Sequence, residues 1–151
     1  MGAAEEILYP VPSSQLDLVW DQVEDLLIPA LNKTGGIKNY LPEDILKFLQ
    51  AKDMQCWVLL KQTTVLAFII TEILTYPRRK VLNIFAGGAK KGLLSKDFKT
   101  GLKMHKTLWQ FARKYNCEAI QTQGRAGWAR VTRPSRQWAL YEWEILNENI
   151  H

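Results

Sequence analysis

The stretch "VLNIFAGGAKKGLLSKDF", residues 81–98, decides how the chain is read. Val81 to Ala86 has the apolar density of a buried strand, and Gly87-Gly88 stop it. A small, basic segment follows, Ala89-Lys90-Lys91-Gly92, and a helical pattern begins after it. Glycines between a strand and a helix let backbone approach a phosphate closely, and a helix N-terminus carries partial positive charge. The same residues also make a plain turn. The flanking elements choose between the two.

Upstream, "SSQLDLVWDQVEDLLIPALNKTGG" keeps a helical rhythm through Leu16, Val19, Trp20, Val23, Leu27 and Leu31. Ser13 or Ser14 is expected to cap it, Pro29 to kink or end it, and Gly35-Gly36 to close it. "NYLPEDILKFLQAKD" predicts a second helix, with Pro42 in the first turn and Glu43 and Asp44 at its positive end. The period then becomes two. "MQCWVLLKQ" is a strand, Thr63-Thr64 a tight connection, and "VLAFIITEILTYP" a strand apolar on both faces, as a central one is. Pro77 stops it and "VLNIFA" follows, which makes an antiparallel meander.

Downstream, Phe98, Leu102, His105, Leu108, Trp109, Ala112 and Tyr115 share a helical face that ends at Asn116. "EAIQTQ" returns as a strand, parallel to the one before the helix because such crossovers are right-handed. "GRAGWARVTRP" reads as a short helix stopped by Pro134, and "RQWALYEWEIL" alternates as a closing strand. The expected order is α-α-β-β-β-α-β-α-β, a mixed α/β (α+β) sheet in one domain over residues 1–151.

The 151 residues, 47% hydrophobic and 23% charged, have globular composition. No apolar run approaches the roughly 18 residues of a membrane span, and the first residues lack a signal-peptide pattern, so a cytoplasmic protein is expected. Cys56 and Cys117 lack disulfide-framework or metal-site spacing and read as reduced thiols. His105 has no second ligand at metal spacing and reads as a core or boundary residue. No metal is expected. Charge is uneven: residues 1–76 hold 5 Lys or Arg against 10 Asp or Glu, whereas residues 77–151 hold 15 against 5. A basic half of this kind predicts an anionic partner: nucleic acid, a nucleotide-like cofactor or an acidic protein.

Two helices, a meander, a crossover helix, a strand, a short helix and a closing strand resemble the GCN5-related N-acetyltransferase (GNAT) superfamily. The resemblance implies a loop whose backbone N–H groups hold the pyrophosphate of acetyl-CoA or another acyl-CoA. It maps to Ala86, Gly87, Gly88, Ala89, Lys90, Lys91 and Gly92, although the leading Gln or Arg of the family loop and its glycine spacing are absent. "FARKYNCEAI" and Gly124-Arg125-Ala126-Gly127-Trp128-Ala129-Arg130 also resemble small, divergent GNAT-like proteins encoded by bacteriophages.

For N-acyl transfer the resemblance implies a basic Glu on the central strands and an acidic Tyr on the helix after the fifth strand. Glu72 is the Glu in that position, flanked by Ile69, Ile70, Ile73 and Leu74, where burial favours a working base. A structural role is the alternative: Glu72 pairs with a basic neighbour such as Arg78, or reaches an open sheet edge. Tyr76 is placed to line the acceptor pocket. Trp128 stands in the segment of the expected Tyr, and indole supplies no catalytic proton. Arg125 and Arg130 are candidates for a cofactor phosphate or an anionic substrate. Two functions stay open. One is an acyl-CoA-dependent N-acyltransferase with an amine acceptor. The other is a catalytically silent GNAT-like accessory or virion protein. There Arg125, Arg130, Arg133 and Arg136 with Trp128 and Trp138 would meet nucleic acid or a host or virion protein.

Overall fold

The computed structural model describes residues 7–34, 38–90, 98–123, 135 and 141–145. Five strands form one sheet in chain order: β1 (Ile7–Val11), β2 (Gln55–Lys61), β3 (Thr64–Thr75), β4 (Lys80–Ala89) and β5 (Ala119–Thr122). The first four run antiparallel and β5 lies parallel to β4. Helices α1 (Leu16–Thr34) and α2 (Pro42–Gln50) cover one face, and α3 (Phe98–Lys114) covers the other. No helix among the described residues is long and apolar enough to cross a membrane.

The central-strand reading of β3 holds, since it is third of five and buried on both faces. Phe68 and Ile70 point at α1 and α2, while Ala67 and Ile69 point at α3. The buried Thr71 is satisfied from β2: Trp57 Nε1 donates to its hydroxyl (3.0 Å), which donates to Gln55 Oε1 (2.9 Å).

Several expectations are corrected. β1 was not foreseen, because "ILYPV" is only five residues long and carries Pro10. Proline fits an edge strand, where its missing N–H faces away from the ladder, and β1 is an edge. Ser13 and Ser14 do not cap α1: they form a 3-10 turn (Ser13–Gln15) that runs straight into it, entered through Pro12 without a side-chain bond. Pro29 does not end α1, which continues to Thr34. The β2–β3 turn is Gln62-Thr63, one residue earlier than read, with Gln62 at φ 56. Residues 141–145 are irregular and exposed rather than a strand. Glu144 there accepts a 2.8 Å bond from Lys38 Nζ. The short helix expected at 124–134 lies outside the described residues.

On α2, Pro42 occupies the first turn and Asp44 Oδ2 accepts the Leu41 N–H at 2.9 Å. The end of α3 follows the sequence closely. Asn116 adopts φ 61, its N–H bonds Arg113 O (3.1 Å), and the Cys117 N–H reaches back to Ala112 O (2.8 Å). The packed face of α3 is offset from the one expected. Met104, Leu108 and Ala112 are buried and Phe111 packs beside them, whereas Trp109 is 52% exposed. At 100° per residue Trp109 lies a quarter-turn off the Leu108 line, beyond the sheet's reach.

Candidate functional site

Strand β4 changes partners halfway along. From Val81 to Ile84 it lies between β3 and β5, and the parallel ladder ends at the Ile84–Thr122 pair. There the Thr122 hydroxyl donates to Ile84 O at 3.2 Å. Beyond it, Ala86–Ala89 pair with β3 alone among the described residues. The register also slips at this point. Ile70 faces Ala86 and Thr71 faces Ile84, so Phe85 is an extra, unpaired residue. Such a bulge bends the strand and re-aims its side chains. Phe85 and Ala86 accordingly both pack on the α1–α2 face.

The consequence is a sheet that opens between β4 and β5 and presents backbone amides. The Lys90 N–H donates to Leu66 O on β3 (2.9 Å). Backbone groups alternate in direction along a strand, which turns the N–H and C=O of Ala89 and Gly87 to the open edge. The loop expected from Ala86 therefore starts later than expected, because Ala86, Gly87, Gly88 and Ala89 belong to β4. Lys90 follows directly and is exposed. Lys91 and Gly92 lie outside the described residues.

Gly88 has a packing reason of its own. A Cβ there would meet Phe68 Cε1 at 2.9 Å and the Leu26 carbonyl oxygen of α1 at 3.2 Å. The glycine lets α1 settle on the opened half of β4.

Glu72 sits on the α1–α2 face of β3, half-buried, directly opposite Asn83. Asn83 Nδ2 donates to its Oε1 at 3.4 Å, so its partner is Asn83 rather than Arg78. Two residues beyond Asn83, the bulged Phe85 receives the ring of Tyr40 edge-on, with centroids 4.8 Å apart. Glu72, Asn83, Phe85 and Tyr40 thus converge beside the opening. Asn83 and Tyr40 were missed in the sequence. The available signal was an amide inside an otherwise apolar strand, which β-propensity disfavours.

Tyr76 does not join them. Its N–H donates to Arg79 O (2.8 Å) in the β3–β4 turn, and its ring is 44% exposed. Four residues of extended chain at about 3.3 Å each put the Tyr76 backbone roughly 13 Å from that of Glu72. Arg125, Trp128 and Arg130 lie outside the described residues, as do Arg133, Arg136 and Trp138. The His105 ring lies tilted beside that of Trp109 on α3, with centroids 5.8 Å apart. Among the described residues no group of three or more His, Cys, Asp or Glu is placed to hold a metal.

The overall fold is shared with solved acetyltransferases. An aminoglycoside acetyltransferase, meta-AAC0020, from an uncultured soil metagenomic sample and in complex with sisomicin, matches with a TM-score of 0.69. The match has 14% identity and covers 93% of this chain and 95% of that one. HMB0005, another aminoglycoside acetyltransferase from a soil metagenomic sample, matches at 0.70 with 10% identity, over 95% and 99%. A GNAT family acetyltransferase of Staphylococcus aureus subsp. aureus USA300_TCH1516 matches at 0.63 with 16% identity, over 91% and 98%. This is the GNAT fold. At these identities the likeness is one of architecture. No protein-family model matches the sequence, and neither does any curated protein. Of the segment Ala86–Gly92 that the sequence resemblance assigns to a cofactor loop, Ala86–Ala89 form the end of β4.

Proposed function

We propose that the chain is an acyl-CoA-dependent N-acyltransferase that transfers an acetyl group from acetyl-CoA to a primary amine. The observation that carries this reading is the opened edge of β4 from Ala86 to Ala89, paired on one side only among the described residues. The amide-bearing arm of acyl-CoA is a strand mimic. Laid against that edge, it takes the outward N–H and C=O groups of Gly87 and Ala89 as an added strand would. Lys90 and the start of α3 then meet the pyrophosphate with a cation and a helix N-terminus.

With the thioester near the bulge, the acceptor enters from the α1–α2 face between Glu72 and the Tyr40–Phe85 pair. The amine must be neutral to attack, and Glu72 is the carboxylate in position to take its proton. The nitrogen adds to the thioester carbonyl, the C–N bond forms and the C–S bond breaks. The thiolate leaves, protonated from water, so no side-chain acid is required. Solved proteins of this fold include aminoglycoside acetyltransferases, which makes the polyamine sugar sisomicin a first acceptor to try.

The test is calorimetric titration of the full chain with acetyl-CoA and with CoA. Binding is expected, and Ala89→Pro, which deletes an outward N–H, should weaken it about tenfold, the worth of one hydrogen bond. Circular dichroism checks that the sheet survives. No binding by the unaltered chain overturns the reading and leaves a GNAT-shaped module whose partner meets the basic half.

A further inference from the structure

Asn83 is the one polar side chain in β4 between Val81 and Ala89. An amide in an apolar strand costs stability unless it is hydrogen-bonded, and asparagine is depleted from strands in any case. Its bond goes to Glu72 Oε1, at 3.4 Å. Register makes the contact unavoidable: Asn83 lies directly opposite Glu72 on one side and beside Gln121 on the other. The ladder to β5 ends one residue later and the bulge comes at the next. The amide and the carboxylate therefore sit together at the apex of the opening.

We infer that Asn83 is a positioning residue that holds Oε1 of Glu72 and leaves Oε2 directed at the acceptor. This rests on the acyl-transfer reading above. The residue type suits the task. The Nδ2 group donates only and carries no charge, so it steers the carboxylate without taking the amine's proton or pairing with Glu72 as an ion. In the step itself the attacking nitrogen forms the C–N bond, its proton passes to Oε2, and the C–S electrons leave on sulfur.

Asn83→Val and Asn83→Thr separate positioning from packing. Their side chains have nearly the same shape and both favour strands, but only threonine keeps a donor. Each variant is titrated with acetyl-CoA, and thiol release from acetyl-CoA is followed with water and with sisomicin as acceptors. Asn83→Val should slow release at least tenfold with the acetyl-CoA Kd within twofold, while Asn83→Thr stays within threefold of the unaltered rate. Added to Glu72→Gln, Asn83→Val should slow release no further, because two residues acting through one carboxylate are not additive. A wild-type rate in Asn83→Val overturns the inference, as does an undiminished effect in the Glu72→Gln background. Acetyl-CoA binding without any release in the unaltered protein also overturns it, and leaves the cofactor site standing. Absence of binding removes the acyl-transfer reading and this inference with it.

Discussion

Gly88 shows how a glycine in a segment that resembles a phosphate-binding loop can have a packing reason of its own. Its hydrogen occupies space that a methyl group would contest with the Phe68 ring and the Leu26 carbonyl. The ring edge can shift, but the carbonyl belongs to the backbone of α1 and gives little. Gly88→Ala should therefore cost about 1–3 kcal/mol of stability, the usual penalty for overpacking. Urea denaturation measures it. An unchanged midpoint would mean that α1 slides freely on β4. Substitution at Gly88 accordingly confounds folding with binding, which is why the outward-facing Ala89 serves as the probe of the edge.

At the scale of elements, the α1–β3 junction is pinned by one side chain. Gln22 Oε1 accepts the Val65 N–H at 2.9 Å, and Gln22 Nε2 donates to Thr63 O at 3.2 Å. The helix thereby satisfies the β2–β3 turn, where Gln62 takes a positive φ and the ladder is about to bulge at Leu66. Gln22→Ala leaves the N–H of a buried residue without its acceptor and should destabilise by about 1–2 kcal/mol. Chemical denaturation reads that loss, and Gln22→Glu, which keeps the acceptor, should recover most of it. The Lys38–Glu144 contact is the opposite case. Its hydrogen bond holds the ammonium above and the carboxylate below their ordinary ranges. Both groups are fully exposed, however, so water screens the pair and it contributes little to folding.

For the molecule as a whole, two cysteines report on folding. Burial pushes the Cys56 thiol from 9.0 up to about 12. Burial also raises Cys117, against the opposing charge of Lys80, but that thiol is only half-buried. A thiol reagent should label Cys117 and spare Cys56 in the native protein, as peptide mapping would show. The folded state resists ionising Cys56 while the unfolded chain ionises it above about 9. The stability linked to this thiol is therefore fully present below that pH and is lost as pH climbs toward about 12. Comparing thermal unfolding of the unaltered chain and Cys56→Ala at pH 8 and pH 10 isolates the effect. The alkaline loss should be smaller in the variant, and equal losses would contradict the burial.

Element order was legible in the sequence because it is written in local patterns. Helical rhythm marked α1, α2 and α3, period-two apolar runs marked β2, β3 and β4, and Asn116 marked a helix end. β1 escaped because five residues containing a proline carry too weak a pattern by themselves. Only pairing to β2 makes them a strand. The candidate site was half legible. Glu72 stood out as an acid inside an apolar strand, and the glycines marked the neighbourhood of the opening. Where β4 leaves β5, that Phe85 bulges, that Gly88 yields to α1, and that Asn83 and Tyr40 converge there depend on register between strands distant in sequence. Register is a property of the paired sheet, set by many side chains at once. Local pattern in the sequence therefore settles the long helices and the inner strands, whereas the edge strand, the place where the sheet opens and the residues that meet there follow from long-range pairing.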